Sequence, residues 1–389
     1  MKTTDYRLHV VDALRGFAIV SIMLLHNIEH FDFYFTPENL PVWMVSLDKA
    51  IWDTLFFLFG GKSYAIFSLL FGLTFFIQSD NAEKRGGDFR GRFAWRMVLL
   101  LLFGIVNSAF YEGDILTVYA LIAFFLIPVA KLNTNTVFWI ALVLMFQPYE
   151  WLNFFRGIQN PNMEMPDPTS WAYFGRMREY VPGKSLLKLW AGNLTNGKTA
   201  VLIWTWETGR AFQTLSLFMF GMLAGRRNLF APTEKNRKFW IRTLIVAAIV
   251  FIPLFIVKTG VGEWISSVAV RRPLATIITS WSNMAFMLVL VAGFVLLFFQ
   301  PIPGRILKVF SPMGRMSLSN YIMQSLMGSF IYYGFGLGLY KYTGASYCVL
   351  IGTGLAVIQG YISSWWMKHH KRGPLETLWH KGTWIRTNR

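Results

Sequence analysis

The feature that most constrains this chain is a series of long apolar segments separated by short charged connectors. Of the 389 residues, 54% are hydrophobic, 17% are aromatic and only 15% are charged. A soluble protein of this length could not bury so much apolar surface, and a segment inside a bilayer must satisfy its own backbone hydrogen bonds. The sequence therefore predicts an all-α, polytopic bundle of membrane-spanning helices. We place ten spans near residues 10–29, 56–79, 95–111, 114–131, 136–149, 200–225, 239–258, 276–300, 317–340 and 346–367.

The distribution of positive charge predicts the orientation of these spans. Most lysines and arginines fall in alternate connectors and at the two chain ends, whereas the intervening short loops contain few. Basic connectors stay on the cytoplasmic side, so we expect both termini in the cytoplasm of a multi-pass protein of the bacterial inner membrane. The net charge of +17 then reflects topology and not nucleic-acid binding. A phosphate-bearing partner on the cytoplasmic side, either a lipid or a cofactor, stays open.

The chain is predicted to form one transmembrane domain over residues 1–389, with one unusual segment. Residues 150–199 are too long for a plain connector, and we expect them outside the cytoplasm. They form either an interfacial segment lying on the bilayer or a lid that binds an acceptor. No internal repeat with a clear period is apparent, which gives no support to an inverted-repeat transporter. The single cysteine, Cys348, excludes an intramolecular disulfide.

The first predicted span carries ionisable residues on one helical face. Asp12 precedes Arg15 by three residues, and eleven helical steps return His26 to within about 20° of Arg15. Charges at membrane depth are costly and usually line a site or a pathway. We predict that Arg15 binds an anionic ligand with Asp12 orienting it, and that His26 acts as a general base held by Glu29. The alternatives are a structural ion pair and a histidine at the headgroup boundary, with His30 as the competing histidine.

Further polar residues occur within or beside the spans. Each has a structural alternative: helix packing, snorkelling to the surface, or interhelical hydrogen bonds. No metal-spaced cluster or phosphate-binding glycine loop is present, so we predict no metal. The candidates for binding the substrate are Asn27, Lys62 after Gly60-Gly61, Asp114, and the i, i+3 pair Glu207 and Arg210. The candidates for binding the cofactor, besides Arg15, are Arg92 and Arg96 in a basic connector and Asn320 and Gln324 in a polar stripe.

Several motifs resemble those of the YeiB-like family of bacterial membrane proteins. They are Asp12-Ala-Leu-Arg-Gly16, Gly61-Lys-Ser-Tyr-Ala-Ile-Phe-Ser-Leu-Leu-Phe-Gly72, Gly113-Asp-Ile-Leu116, Phe220-Gly-Met-Leu-Ala-Gly-Arg226, Gly314-Arg-Met-Ser-Leu-Ser-Asn-Tyr-Ile-Met-Gln-Ser325 and Gly373-Pro-Leu-Glu376. That family resembles the transmembrane acyltransferase superfamily, which includes heparan-alpha-glucosaminide N-acetyltransferase and the acyltransferase-3 enzymes. The spacing of Arg15 and His26 is similar to the acyltransferase-3 signature. The resemblance implies an acyl-CoA, with acetyl-CoA as the preferred candidate, as the cytoplasmic donor.

Together these observations predict an acyltransferase. Arg15 and the basic connectors would hold the CoA phosphates, and His26 would deprotonate a hydroxyl or amine of an extracytoplasmic glycan, lipid or envelope acceptor. The rival interpretation is a transporter or flippase for an anionic solute or lipid, because membrane-depth charges suit it equally. A third is a structural component of an envelope assembly. The acceptor and the formation of a homodimer stay open.

Overall fold

The computed structural model describes residues 9–38 and 40–385, and this part of the chain is helical throughout, with no β-strand. Short turns and a few 3₁₀ or π segments join the helices. The α-helices are α1 (His9–Ile28), α2 (Val42–Phe59), α3 (Ser63–Glu83), α4 (Arg90–Phe110), α5 (Ile115–Ala123), α6 (Leu126–Val129), α7 (Thr134–Met145), α8 (Pro148–Gln159), α9 (Thr169–Gly175), α10 (Leu186–Gly192), α11 (Lys198–Glu207), α12 (Arg210–Arg226), α13 (Glu234–Trp264), α14 (Val268–Phe298), α15 (Pro301–Leu307), α16 (Ser311–Arg315), α17 (Ser317–Tyr332), α18 (Ala345–His369) and α19 (Pro374–Thr383).

Six helical segments of the described chain are long and apolar enough to cross a membrane. They are α1, the α2–α3 segment, α4, α13, α14 and α18. The all-α prediction is confirmed, whereas the count of ten spans is not. The other four predicted spans fall on α5–α6, α7, α11–α12 and α17, where breaks leave no helix longer than 17 residues. The predicted cytoplasmic location of the termini depends in part on residues 1–8 and 386–389, which lie outside the described residues.

Helix α1 lies at the centre of the bundle. It packs against α3, α16, α17 and α18, and most of its 20 residues are buried. Its direction defines two ends of the molecule. We call the end where α1 begins the Arg15 end, and the end where α1 finishes the His26 end.

Two of the predicted spans are interrupted by glycine. The first break separates α2 from α3 at Gly60-Gly61, and the second separates α11 from α12 at Thr208-Gly209. Gly61 and Gly209 adopt φ values of +74° and +68°, a left-handed conformation that glycine tolerates and other residues rarely adopt. The first break lies midway along α1, because Ser63 Oγ is 2.8 Å from Ser21 Oγ. Irregular backbone at such depth is tolerated only where it is buried in protein or lines a cavity.

The helices that follow the two breaks, α3 and α12, pack side by side and run in the same direction. Each is preceded or begun by a glycine and a basic residue, Gly61-Lys62 before α3 and Gly209-Arg210 at the start of α12. Beyond these residues the likeness keeps no single spacing, so it does not amount to a repeat with a clear period.

Residues 150–199 fold over the His26 end. They form α9, α10, most of α8 and a π turn at Asn193–Gly197. Met177, Val181 and Leu189 from this segment are buried in a core cluster with Phe31 and Tyr111. Of the two predicted roles, this packing favours a cap over the end of the bundle.

Glycine at the contact between α3 and α12 provides a test of this packing. A Cβ on Gly72 would overlap the carbonyl of Phe218. We expect Gly72→Ala to force the two helices apart and to lower the melting temperature of the detergent-purified protein by several degrees. Gly293 of α14, where a Cβ meets nothing within 4 Å, is the matched control. Gly293→Ala should be neutral or stabilise by up to about 1 kcal/mol, since alanine favours helix. Equal destabilisation by both changes would contradict the packing.

Candidate functional site

The last turn of α1 and the residues that follow it form a compact polar cluster with Tyr111. His26 Nδ1 lies 3.4 Å from Glu29 Oε2 and 2.9 Å from the Tyr111 hydroxyl. Tyr111 also hydrogen-bonds the Asp32 carboxylate. Tyr34 donates to the other oxygen of Glu29 at 3.0 Å. The prediction that Glu29 contacts the His26 imidazole thus agrees with the structure, which adds two tyrosines and a second carboxylate.

An unusual turn brings Asp32 back to this cluster. His30, Phe31 and Asp32 have φ values of 48°, 56° and 66°, so three successive non-glycine residues are left-handed. Such backbone is disfavoured and occurs most often at functional sites. The Phe31 amide bonds the His26 carbonyl at 2.7 Å, which closes the turn tightly against the end of α1.

Burial changes the pKa values of two carboxyl groups in and beside the cluster. Burial, and then the neighbouring Glu29 carboxylate, raises the pKa of the Asp32 carboxyl to about 6. Glu112 lies next to the cluster and accepts a hydrogen bond of 2.9 Å from Tyr180 of the cap. Burial raises the pKa of Glu112 well above its usual range, and the charge of Asp32 adds to this effect. Two acids at the His26 end therefore hold their protons to a higher pH than exposed carboxyl groups do.

The Arg15 end carries a second group of charged side chains. Arg15 donates to Thr74 of α3 at 2.9 Å and lies 3.5 Å from Asp12, which agrees with the predicted i, i+3 pair. Arg96 stacks on the Trp379 ring of α19 with 4.1 Å between the guanidinium carbon and the ring centre. Arg92 stacks in the same way on Trp384 at 3.9 Å. The C-terminal helix therefore covers this end of the bundle.

A cavity of about 200 Å³ extends from the Arg15 end into the bundle. Arg15, Arg96 and Arg315 line it at that end together with Glu376. Deeper in, its wall is apolar and aromatic, with a few hydroxyl groups. The residues of this inner wall include Phe67, Phe71, Phe75, Met97, Leu100, Tyr64, Tyr119 and Tyr321. Its size is below that of typical drug-sized pockets, so it suits a narrow chain better than a bulky head.

The cavity follows the face of α1 that was predicted from the sequence, but it stops short of His26. Arg15, Ile19 and Ile22 line it, and they are successive residues of one helical face. His26 is the next residue of that face, about 6 Å further along the helix. His26 does not line the cavity within the described part of the chain. About one helical turn therefore separates the end of the cavity from the His26 cluster.

Some predicted residues have structural partners away from the cavity. Asn320 donates to Ser363, and Gln324 donates to Gln359, so both bind α18 and neither lines the described cavity. Asn27 accepts a bond from Tyr332 and is fully buried. His30 contacts the Thr343 carbonyl at 2.7 Å, which gives it a structural role.

The remaining candidates are also placed by the structure. Asp114 caps α5 and forms a buried pair with Lys198, whose Nζ is 3.3 Å away. Glu207 does not pair with Arg210, because its carboxylate instead accepts bonds from Thr169 and Ser170 at the start of α9. Lys62 is only 4% exposed and donates to the Phe56 carbonyl at 3.3 Å, so the alternative of snorkelling to the surface is wrong.

The sequence analysis did not identify four residues of the His26 cluster and the cavity, namely Tyr111, Arg315, Tyr321 and Glu376. Three of them lie in motifs that resemble those of the YeiB-like family. Arg315 and Tyr321 lie in the segment Gly314–Ser325, and Glu376 closes Gly373-Pro-Leu-Glu376. Glu376 accepts bonds from the Leu318 and Ser319 amides and thereby caps α17, which brings the two motifs together at the cavity.

Ligand atoms suitable for a metal also meet at the His26 end. One atom from each of His26, Glu29 and Asp32 lies within 4.8 Å of the others. This spacing would admit a divalent cation, and it also suits a hydrogen-bonded acid–base cluster. The tyrosine hydroxyl on His26 Nδ1 favours the second arrangement.

Comparison with known proteins gives relatives without assigned activity. The model of the family described as "Protein of unknown function (DUF418)" matches residues 224–386. The uncharacterized protein YxaH of Bacillus subtilis (strain 168) is 29% identical over 402 residues, covering 98% of this chain and 95% of that protein. An uncharacterized 39.9 kDa protein from the amylase 3′ region of Bacillus acidopullulyticus is 25% identical, with the same coverage. No solved structure matches.

The raised pKa of Asp32 predicts a pH-dependent stability. The folded chain holds the Asp32 proton more tightly than the unfolded chain, whose carboxyl titrates near 3.8. Stability is therefore lost as the pH rises from about 4 through about 6. Asp32→Asn cannot ionise, so it should stabilise the protein at pH 7.5 by at most about 3 kcal/mol. This advantage should vanish near pH 4 in thermal unfolding measurements.

The control for this experiment is Asp167→Asn, because the Asp167 side chain is 81% exposed at the same end of the molecule. It should change the melting temperature little at either pH. An Asp32→Asn effect that is the same at pH 4 and pH 7.5 would contradict the assigned pKa.

Proposed function

We propose that this protein transfers an acyl group, in the simplest case acetyl, from acyl-CoA to a hydroxyl or amine of an acceptor at the His26 end. The observation that carries the proposal is the cavity along α1. It begins among three arginines and leads towards a histidine held by a carboxylate and a tyrosine. The resemblance of the motifs to the transmembrane acyltransferase superfamily supports the same reaction.

The shape of the cavity suits a CoA donor. Arginine matches phosphate oxygens with two parallel hydrogen bonds, so Arg15, Arg96 and Arg315 would hold the phosphates at the mouth. The narrow apolar interior would take the pantetheine arm and the acyl group. Arg15 and His26 are about 16 Å apart along the helix, a distance that an extended arm can bridge. The turn between Ile22 and His26 would have to open for the thioester to reach the base.

The chemistry then requires a base and a leaving group. The Nδ1 hydrogen of His26 would be donated to the Tyr111 hydroxyl, which in turn donates to Asp32, and Nε2 would be free to take a proton. The acceptor oxygen or nitrogen attacks the thioester carbonyl carbon as Nε2 removes its proton. The carbon–sulfur bond breaks, and the thiolate leaves as free CoA after receiving that proton from His26. Asp12 and Glu29 position Arg15 and His26.

This reaction defines an orientation in the bacterial inner membrane. The donor enters from the cytoplasm, so the Arg15 end would face inward and the cap of residues 150–199 outward. The concentration of basic residues near the Arg15 end supports this arrangement. The acceptor would then be an extracytoplasmic glycan or lipid.

Transport of an anionic solute or lipid is the second candidate. The observation that favours it is the pair of glycine-broken spans, α2–α3 and α11–α12, because discontinuous helices often form transport sites. Tight binding of CoA separates the two functions, since a transporter has no need of it.

Substitution of Arg15 tests the donor site. Hydrogen bonds to a charged group contribute about 1.5–3 kcal/mol, so Arg15→Ala should weaken CoA binding about 10- to 100-fold in calorimetric titration. Arg15→Lys should restore it only in part. Arg237→Ala is the control, because Arg237 is exposed on α13 and pairs with Glu234. If the unsubstituted protein does not bind CoA, acyl transfer is excluded and transport becomes the better proposal.

Substitution of the two histidines tests the base. His26→Ala should lower acyl transfer from labelled acetyl-CoA about 10²- to 10⁴-fold and leave CoA affinity unchanged. His30→Asn should preserve transfer and lower thermal stability, because it loses the bond to Thr343 while asparagine tolerates the left-handed backbone. An active His26→Ala protein, with an inactive but folded His30→Asn protein, would show that the base is wrongly assigned.

A further inference from the structure

The Arg210 guanidinium stacks on two aromatic rings. Its guanidinium carbon lies 4.4 Å from the centre of the Tyr64 ring and 4.0 Å from that of the Trp204 ring. Within residues 9–38 and 40–385, no carboxylate or carbonyl accepts a hydrogen bond from it. A guanidinium group presents five donors, and stacking on aromatic rings does not use them. Those donors are therefore available for an oxyanion.

The spacing of the local sequence predicts an ion pair between Arg210 and an acidic side chain, but the two do not pair in the structure. Glu207 precedes Arg210 by three residues, but the break at Gly209 turns the two side chains apart. The Glu207 carboxylate is fully occupied by three hydrogen bonds with Thr169 and Ser170 of the cap. In a continuous helix, Glu207 and Arg210 would form an internal ion pair. The break prevents this pair, so Arg210 is available for a ligand.

The position of Arg210 connects it to both parts of the candidate site. Tyr64, on which it stacks, lines the cavity. Its positive charge also opposes the rise in the pKa of Asp32, so it lies within electrostatic reach of the His26 cluster. A negatively charged group on Arg210 would therefore lie beside the cavity wall and within electrostatic reach of the His26 cluster.

The surroundings of Arg210 indicate the source of such a group. Trp206 is 48% exposed and packs against Tyr149, which is 39% exposed, with 5.3 Å between ring centres. Trp171 of the cap is also exposed at this end. Exposed tryptophan and tyrosine are enriched where a membrane protein meets lipid headgroups. Arg210 is itself partly exposed, so this aromatic surface gives a lipid access to its guanidinium.

We propose that Arg210 binds the phosphate of a lipid acceptor, with its stacking on Tyr64 and Trp204 fixing the guanidinium for two parallel hydrogen bonds. The inference rests on the proposed acyl transfer and names the substrate class that the His26 end receives: a phospholipid or lipid-linked phosphate with a free hydroxyl or amine. The phosphate is held at Arg210 so that the nucleophile reaches His26.

Equilibrium binding of radiolabelled phosphatidylglycerol to the detergent-purified protein tests this site. Phosphatidylglycerol carries a phosphodiester and free hydroxyl groups. Arg210→Gln should weaken its binding about 10- to 100-fold, and Arg210→Lys should restore binding in part because lysine keeps the charge without the planar fork. Arg176→Gln is the matched control, since Arg176 stacks on Tyr173 at 5.2 Å in the cap. It should change the affinity less than twofold.

Two competitors identify what is recognised. Diacylglycerol has the tails without the phosphate, and glycerol 3-phosphate has the phosphate without the tails. We expect neither to displace phosphatidylglycerol at equal concentration. Effective competition by diacylglycerol would show that the tails alone direct binding, and effective competition by glycerol 3-phosphate would show a soluble ligand. Either result overturns the proposal.

Calorimetric titration of CoA into the same variants separates this inference from the proposed function. Arg210→Gln should bind CoA normally, because the donor phosphates lie at the Arg15 end. Unchanged phosphatidylglycerol binding in Arg210→Gln, together with normal CoA binding, would overturn the lipid site alone. If the unsubstituted protein does not bind CoA, but binds phosphatidylglycerol in a way that depends on Arg210, the donor assignment is overturned instead.

Discussion

The close contact between α1 and α16 is the constraint on which the donor end of the molecule depends. Gly16 and Gly314 face each other so closely that a Cβ on either would overlap backbone of the opposite segment. This contact holds the short helix α16 against the first turns of α1 and brings Arg315 to the cavity beside Arg15. It also fixes the start of α17, whose first amides are capped by Glu376. The two glycines thus bring together, at the mouth of the cavity, the motifs that begin at Asp12, Gly314 and Gly373.

The sequence was sufficient to predict the parts of the site that lie on one regular helix. Asp12, Arg15 and the face leading to His26 follow from helical geometry alone, and the contact between His26 and Glu29 follows from their i, i+3 spacing. The same rule failed for Glu207 and Arg210, because a left-handed glycine interrupts the helix between them. Periodicity is informative only while the backbone remains regular.

Contacts between distant segments could not be predicted in this way. Tyr111 reaches His26 across 85 residues, and nothing in the spacing of either residue indicates the other. Asp32 joins the cluster only because His30, Phe31 and Asp32 all adopt left-handed backbone. Histidine and aspartate adopt it more often than most residues, but phenylalanine does not, so the run of three gives no clear signal in the sequence. Asn320 and Gln324 illustrate a second limit. The sequence predicts that this polar stripe binds the cofactor, whereas both amides donate hydrogen bonds to α18, away from the described cavity.

The two basic residues beside the glycine breaks lie in different environments. Lys62 and Arg210 each follow a left-handed glycine at the start of a helix, and those helices pack together through Gly72 and Gly221. Lys62 is enclosed near the Phe57 and Phe286 rings and donates to the Phe56 carbonyl. Arg210 lies instead beside the cavity wall, partly exposed and stacked on two rings. Similar local sequences thus enclose one basic residue at its break and leave the other where a ligand has access to it.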